Sequence, residues 1–240
     1  MAHTYKTYMI KVNNLKKTYK GVDAVDIAHL EINAGEVVGL VGNNGAGKTT
    51  FFRLLLDLIR SNEGQVLSKG NPVTSTEEWK SYTAAYIDEG FLIDYLTPEE
   101  YFYFVGKLHQ RSKADVDDFL HSYADFLDDA ILNKGKYIRD FSKGNQFKIG
   151  IIAALLNEPE VLILDEPFAN LDPTTQLRLV DMIKSMAEHK KMCIIVSSHD
   201  INHVSEVSNR ILLMEKGKII KDIAGGETAY EELVDYFKVR

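Results

Sequence analysis

Apolar and polar positions alternate in ways that change along the chain, and each pattern predicts a different element. From Met9 to Asn13 the period is two, as in a half-buried strand. Leu15 to Tyr19 follow it, and Lys20-Gly21 reads as a turn. Alternation returns from Ala24 to Ile32, with Val25, Ile27, Leu30 and Ile32 as the inward set. Asn33-Ala34-Gly35-Glu36 reads as the next turn, so two or three antiparallel strands open the chain. Val37-Val38-Gly39-Leu40-Val41 is then continuously apolar, and Phe51 to Ile59 has helical spacing. Beyond a turn at Ser61 to Gly64 come a short strand at Gln65 to Leu67, a turn at Lys69 to Pro72, and a buried strand over Thr83 to Asp88.

Residues 97–150 carry helix signals throughout. Thr97-Pro98-Glu99-Glu100 offers an N-cap, a proline at the first helical position and a glutamate at the third. Tyr101, Phe102, Val105 and Leu108 follow at helical spacing. Ser112-Lys113-Ala114-Asp115 can cap a second helix, with Val116, Phe119, Leu120, Tyr123 and Leu127 on one side. Val161 to Leu164 and Met192 to Ser198 then read as strands buried on both faces. Ile211 to Met214 and Ile219-Ile220 flank a glycine turn as a hairpin, and Glu227 to Phe237 predicts a terminal helix. The whole predicts an α/β fold: a core with a mainly parallel sheet, an N-terminal antiparallel β part and an inserted α-helical part. We expect a single domain over 9–240. Its antiparallel part covers about 9–35, its core about 36–90 and 151–240, and its helical part about 91–150.

Composition narrows this picture little. A 240-residue chain with 45% hydrophobic and 26% charged residues supports a sizeable core. The net charge of −7, with no long basic run, makes nucleic acid an unexpected partner. The single cysteine, Cys193, lies in an apolar run, so no intrachain disulfide forms and a buried strand thiol is expected. No apolar stretch reaches the roughly 18 residues that would span a bilayer. Residues 1–8 lack the apolar centre of a signal peptide and read as a short extension, with Met9 opening the ordered chain.

The chemistry concentrates in three stretches. Gly42-Asn43-Asn44-Gly45-Ala46-Gly47-Lys48-Thr49-Thr50 joins a strand to a helix with the spacing G-x-x-x-x-G-K-[ST]. Glycines let successive N–H groups point inward at a phosphate, and the helix adds its positive end. Lys48 would reach the β- and γ-phosphates, and the Thr49 hydroxyl would take a place on Mg²⁺. This motif alone says only that a nucleoside triphosphate binds. Asp165 and Glu166 then end the strand Val161 to Leu164, at the edge where open α/β sheets hold ligands. Asp165 is placed to hold Mg²⁺ and Glu166 to face an attacking water; an acidic turn before Pro167 is the plainer reading. His199 ends the strand Met192 to Ser198. It could contact the γ-phosphate, or merely neighbour a capping Ser or Asp. Tyr19 is equally readable as an ordinary tyrosine or as a stacking platform for a base.

Taken together, these stretches resemble the ATP-binding subunit of an ABC transporter, and the resemblance covers nearly the whole chain. The discriminating piece is Phe141-Ser142-Lys143-Gly144-Asn145-Gln146. Its Ser-x-Gly core and its place before the Asp-Glu strand look like the family's L-S-G-G-Q signature. The resemblance implies that Ser142 and Gly144 meet the γ-phosphate of ATP bound to another subunit. It further implies that Tyr19 stacks on adenine, that Phe168 to Asp172 crosses a dimer interface, and that His199 is a switch histidine. Lys143 departs from the family's first glycine and Asn145 from its glutamine. Glu89 stands where a glutamine is frequent, and its oxygen could still reach Mg²⁺.

The expected cofactors are therefore ATP and Mg²⁺. The expected partners are a separate transmembrane permease subunit and a second nucleotide-binding subunit, in a homodimer or a heterodimer. The expected place is the cytoplasmic face of the cell membrane. The departures are similar to subunits of small bacterial exporters, and the aromatic-rich segment Phe91 to Phe104 would line part of the permease groove, although packing within the helical part is the expected fate of most of its rings. The rival expectation is a soluble ABC-type ATPase acting on nucleic acid or the ribosome; it is disfavoured by the single cassette and the missing basic patch.

Overall fold

Two sheets carry the molecule, and the first grows from the opening hairpin. The computed structural model describes residues 8–87, 89–127 and 130–238, with only the backbone of 89 and 227–229. Most of the extension expected at the N-terminus lies outside these residues, as does Asp88 at the end of its expected strand. Strands β1 (Tyr8–Tyr19) and β2 (Val22–Asn33) pair antiparallel around Lys20 and Gly21. Both turn residues have positive φ, as the tight turn of a twisted hairpin requires. β1 is one strand where two short ones were expected. Asn14, at φ 46°, absorbs the irregularity between them.

Strand β3 (Val37–Val41) leads through the glycine loop into helix α1 (Lys48–Leu55). The apolar spacing predicted helix as far as Ile59. Asp57, at φ 51°, stops it early and leaves Leu58 half exposed. Strands β4 (Glu63–Ser68) and β5 (Asn71–Pro72) complete a four-stranded sheet in the order β2-β1-β4-β5.

Strand β6 (Thr83–Tyr86) begins the second half. The expected helical stretch follows as α2 (Pro98–Leu108), α3 (Lys113–Ser122), α4 (Ala124–Leu127) and α5 (Lys143–Leu155). Thr97 and Ser112 form the capping boxes that their sequences announce. The boundary expected at residue 150 falls inside α5. That helix crosses β6 closely because Gly150 has no Cβ; one would lie 2.1 Å from the Tyr86 ring. Strand β7 (Val161–Leu164), helix α6 (Pro173–Lys190), strand β8 (Cys193–Ser198), helix α7 (Ile201–Val207), strands β9 (Arg210–Glu215) and β10 (Lys218–Ala224), and helix α8 (Glu227–Lys238) close the chain.

The second sheet has six strands in the order β10-β9-β3-β8-β7-β6, parallel except for the β9–β10 hairpin. Its strands split their side chains between two cores at period two. Val161, Ile163, Cys193 and Ile195 face the core shared with the first sheet and α1. Leu162, Leu164, Ile194 and Val196 face the core built with α5, α6 and the helical segment. Phe51 and Phe52 of α1 are fully buried in the former, each stabilising the fold by roughly 1.5–3 kcal/mol. This double burial explains the unbroken apolar runs. It also brings the carboxyl ends of β3, β8 and β7 side by side.

Candidate functional site

The glycine loop begins where β3 ends and is shaped by close approaches. Gly45 and Gly47 have φ of 82° and 110°. A Cβ on Gly47 would stand 2.2 Å from the Ala24 carbonyl oxygen, so the position excludes any side chain. Gly47 is also the N-cap of α1, and no side chain caps that terminus and no acidic residue occupies its first turn. The first N–H groups of α1 are thereby left to an anion. Ala24, Asn44, Gly45, Gly47, Lys48, Thr49, Thr50 and Glu166 line a cavity of about 350 Å³ here.

Strand order determines which side chains meet at this rim. The buried Lys48 Nζ donates to the Gly42 carbonyl at 2.6 Å and stands 3.2 Å from Glu166 Oε1. Thr49 Oγ1 donates to Asp165 Oδ2 at 2.6 Å. Ser197 Oγ, at the end of β8 between β3 and β7, donates to Asp165 Oδ1 and accepts the Glu166 N–H at 2.9 Å. Glu166, at φ 49°, turns away from the strand direction. Its Oε2 accepts the His199 N–H at 3.2 Å and faces His199 Nδ1 at 2.8 Å. Asp200 caps α7 through the Asn202 N–H, so the plain capping reading of this stretch is also present, alongside the contact of His199 with Glu166.

Burial pushes the Asp165 carboxyl above the usual carboxylate range, although the Ser197 and Thr49 hydroxyls both favour its anion. A divalent cation would offset that buried charge. Two hard oxygens, on Thr49 and Asp165, already stand together for it. Among the described residues no cluster of three His, Cys, Asp or Glu exists that could hold a metal. A cation here would complete its shell from phosphate and water, which suits Mg²⁺. Glu89 opens a short 3-10 turn, Glu89–Phe91, and its side chain lies outside the described residues.

Three expected site residues stand apart from this cavity. Tyr19 closes β1 at the hairpin turn and is 48% exposed. Ser142 caps α5, its hydroxyl accepting the Asn145 N–H at 3.3 Å. Gly144 lies in the first turn of α5 against the Asn170 carbonyl, 3.0 Å from where a Cβ would be. Neither Ser142 nor Gly144 lines the cavity around Lys48. The loop between β7 and α6 is firmly held. Phe168 is buried and stacks on the His203 ring at 4.7 Å between centroids. Asp172 caps α6, and the Thr175 hydroxyl, then its N–H, holds the Asp172 carboxyl below the usual range.

Sequence reasoning gave no role to Ser197 or to the Gln146 side chain. Ser197 is fully buried, and a hydroxyl near the end of a doubly buried strand must find partners. Gln146 is also buried, and its amide donates to the Ile138 and Phe141 carbonyls at 3.2 and 3.0 Å, bracing the turn that presents Ser142.

The family model for the ABC transporter matches residues 25–169, which include the glycine loop, the Ser142 turn and the Asp165-Glu166 pair. The chain belongs to this family. An ABC transporter ATP-binding protein of Methanocaldococcus jannaschii, MJ1023, is 34% identical over 96% of this chain and 84% of its own. The methionine import ATP-binding protein MetN of Lactococcus lactis is 30% identical over 90% of this chain and 65% of its own. In structure, the dimeric bacterial ABC transporter cassette MJ0796 superposes with a TM-score of 0.82 over 90% of this chain and 98% of that one, at 23% identity. The fold of this ABC cassette is thus the family's fold. The chain is an ATP-binding subunit of the ATPase class, and the nucleic-acid alternative is not favoured.

Proposed function

We propose that two such cassettes, two copies or this chain and a similar one, close over two ATP molecules and reopen after hydrolysis. The observation that carries this reading is the linked series Thr49, Asp165, Ser197, Glu166 and His199, converging with Lys48 on one rim. Gly42 to Thr50 cradle the phosphates, and Tyr19 offers its ring to adenine. When ATP enters, Lys48 exchanges its contacts with Gly42 and Glu166 for the β- and γ-phosphates. Thr49 and Asp165 would hold Mg²⁺, with Glu89 as a further candidate; the cation would supply charge neutralisation of the phosphates.

Glu166, held by His199, takes a proton from water as the water oxygen bonds to the γ-phosphorus. The bond from that phosphorus to the bridging oxygen breaks, and ADP and phosphate leave. Ser142 and Gly144 serve the site of the opposite cassette. Their distance from this chain's own cavity supports that assignment.

The work passes to a separate membrane permease, which places the cassette at the cytoplasmic face of the cell membrane. Among the described residues no helix is long and apolar enough to cross a membrane. A groove of about 270 Å³ fits the permease contact: Leu56, Leu58, Trp79, Ala85, Ile87 and Phe91 line it, with Asp57 and Lys80 adding charge. Only part of the aromatic segment faces outward. Phe91, Tyr95 and Phe104 are exposed, whereas Phe102 is fully buried. Export is the direction we propose, resting on the departures at Lys143, Asn145 and Glu89. The likeness to a relative named for import makes identification of the copurifying permease the test of direction.

The test of the chemistry is Glu166→Gln. ATP binding persists, hydrolysis falls by about 10²–10⁴-fold, and the ATP-bound dimer accumulates. Hydrolysis within a few-fold of wild type would remove Glu166 from its role.

A further inference from the structure

The end of β1 carries contacts that the phosphate chemistry does not use. Lys17 lies two residues before Tyr19, on the same side of the strand. Its Nζ stands 5.1 Å from the centroid of the Tyr19 ring and donates to the Arg60 carbonyl at 2.6 Å. The neighbouring backbone is tied to the same connection: the Thr18 N–H donates to Asn62 Oδ1 at 2.8 Å, and the Asn62 N–H donates to the Lys16 carbonyl at 2.7 Å. On the other side, Asp23 accepts from the Thr18 hydroxyl at 2.8 Å and pairs with Lys16 at 3.1 Å. Arg60 and Asn62 belong to the segment that follows α1, the helix whose first turn seats the phosphates. A solvated lysine on a strand edge would need no such anchor.

We propose that Lys17 is a positioning residue for nucleotide binding, holding the Tyr19 ring as a one-sided platform for the base. This rests on the reading of Tyr19 as the adenine platform. The ammonium group covers one face of the ring and leaves the other face for a single aromatic plane. A cation on one face also draws ring electron density toward itself, so the opposite face repels a purine π-cloud less. The anchor on Arg60 ties the ring to the segment that follows α1. It thereby fixes the span between the base platform and the phosphate seat, which a nucleoside triphosphate must match.

The test compares a ligand that has a base with one that has none, on the intact chain. ATP and inorganic tripolyphosphate are titrated against wild type, Tyr19→Ala, Lys17→Met and Lys17→Arg, with thermal melting to show that each variant is folded. Tyr19→Ala weakens ATP by about fivefold or more and leaves tripolyphosphate unchanged. Lys17→Met weakens ATP by about two- to fivefold and leaves tripolyphosphate unchanged, and Lys17→Arg restores ATP affinity because a guanidinium keeps both the cation and the donor. Equal weakening of both ligands by Lys17→Met would reduce Lys17 to a structural staple and overturn the proposal. So would unchanged ATP affinity in Lys17→Met where Tyr19→Ala does weaken ATP. Unchanged ATP affinity in Tyr19→Ala would instead overturn the platform reading of Tyr19, and the role of Lys17 with it.

Discussion

The glycine-loop rim and the Ser142 turn are built in opposite ways. At the rim, Lys48, Thr49, Asp165, Glu166, Ser197 and His199 satisfy one another across three strands, and Lys48, Thr49 and Glu166 line a cavity. At the Ser142 turn the polar groups are spent locally, on the first turn of α5 and on the bracing Gln146 amide. Ser142 is exposed and Gly144 is partly exposed beside the Asn170 carbonyl, yet neither lines the cavity of its own chain. A rim that is complete for binding and a turn that lacks its object fit a site divided between two cassettes. On the proposed reading, nucleotide binding and nucleotide-driven closure are separable in this chain.

The largest separation comes from substitutions at the rim. Lys48→Ala removes the cation that would meet the phosphates and leaves the Glu166 carboxylate with its His199 contacts. ATP binding is lost in titration, and hydrolysis falls by at least about a hundredfold in a phosphate-release assay. Gly47→Ala also abolishes binding, because its φ and the Ala24 carbonyl exclude a Cβ; a lowered melting temperature accompanies the loss.

Asp165→Asn sharpens the comparison in another way, because it separates function from stability. A carboxyl whose folded pKa is raised by burial binds its proton more tightly folded than unfolded. Its ionisation therefore disfavours the fold as pH rises from the unfolded value of 3.8 through the folded one. An uncharged amide keeps the shape without that charge. The melting temperature should therefore rise at neutral pH, while hydrolysis is lost. The gain should shrink at pH values below 3.8, where the carboxyl of wild type is protonated in both states. The smallest effect is that of Lys17→Met, read as a two- to fivefold change in ATP affinity alone.

Much of this was legible in the sequence for identifiable reasons. The apolar runs at 37–41, 161–164 and 192–196 are unbroken because their strands are covered on both faces, and the capping boxes at Thr97 and Ser112 are local chemistry. The glycine spacing and the Asp165-Glu166 pair are also local. What escaped depends on pairing between distant segments. Strand order puts β8 between β3 and β7, and only that order gives Ser197 its two partners. The end of α1 was misjudged because Leu58 and Ile59 keep the apolar spacing after Asp57 has left helical geometry. The role of Gln146 was hidden because an amide in a helix carries no sign of which carbonyls it will brace.

The central claim, that the Ser142 turn serves a site other than its own chain's, is tested by Gly144→Asp in a Glu166→Gln background. An aspartate in the first turn of α5 suits the helix terminus but repels a phosphate brought against it. Sedimentation with and without ATP, paired with ATP titration of the monomer, gives the answer. The account predicts that Glu166→Gln alone dimerises with ATP. The double variant binds ATP as tightly in the monomer but stays monomeric. Loss of monomer ATP affinity on adding Gly144→Asp, or ATP-driven dimerisation that survives it, would contradict the divided site.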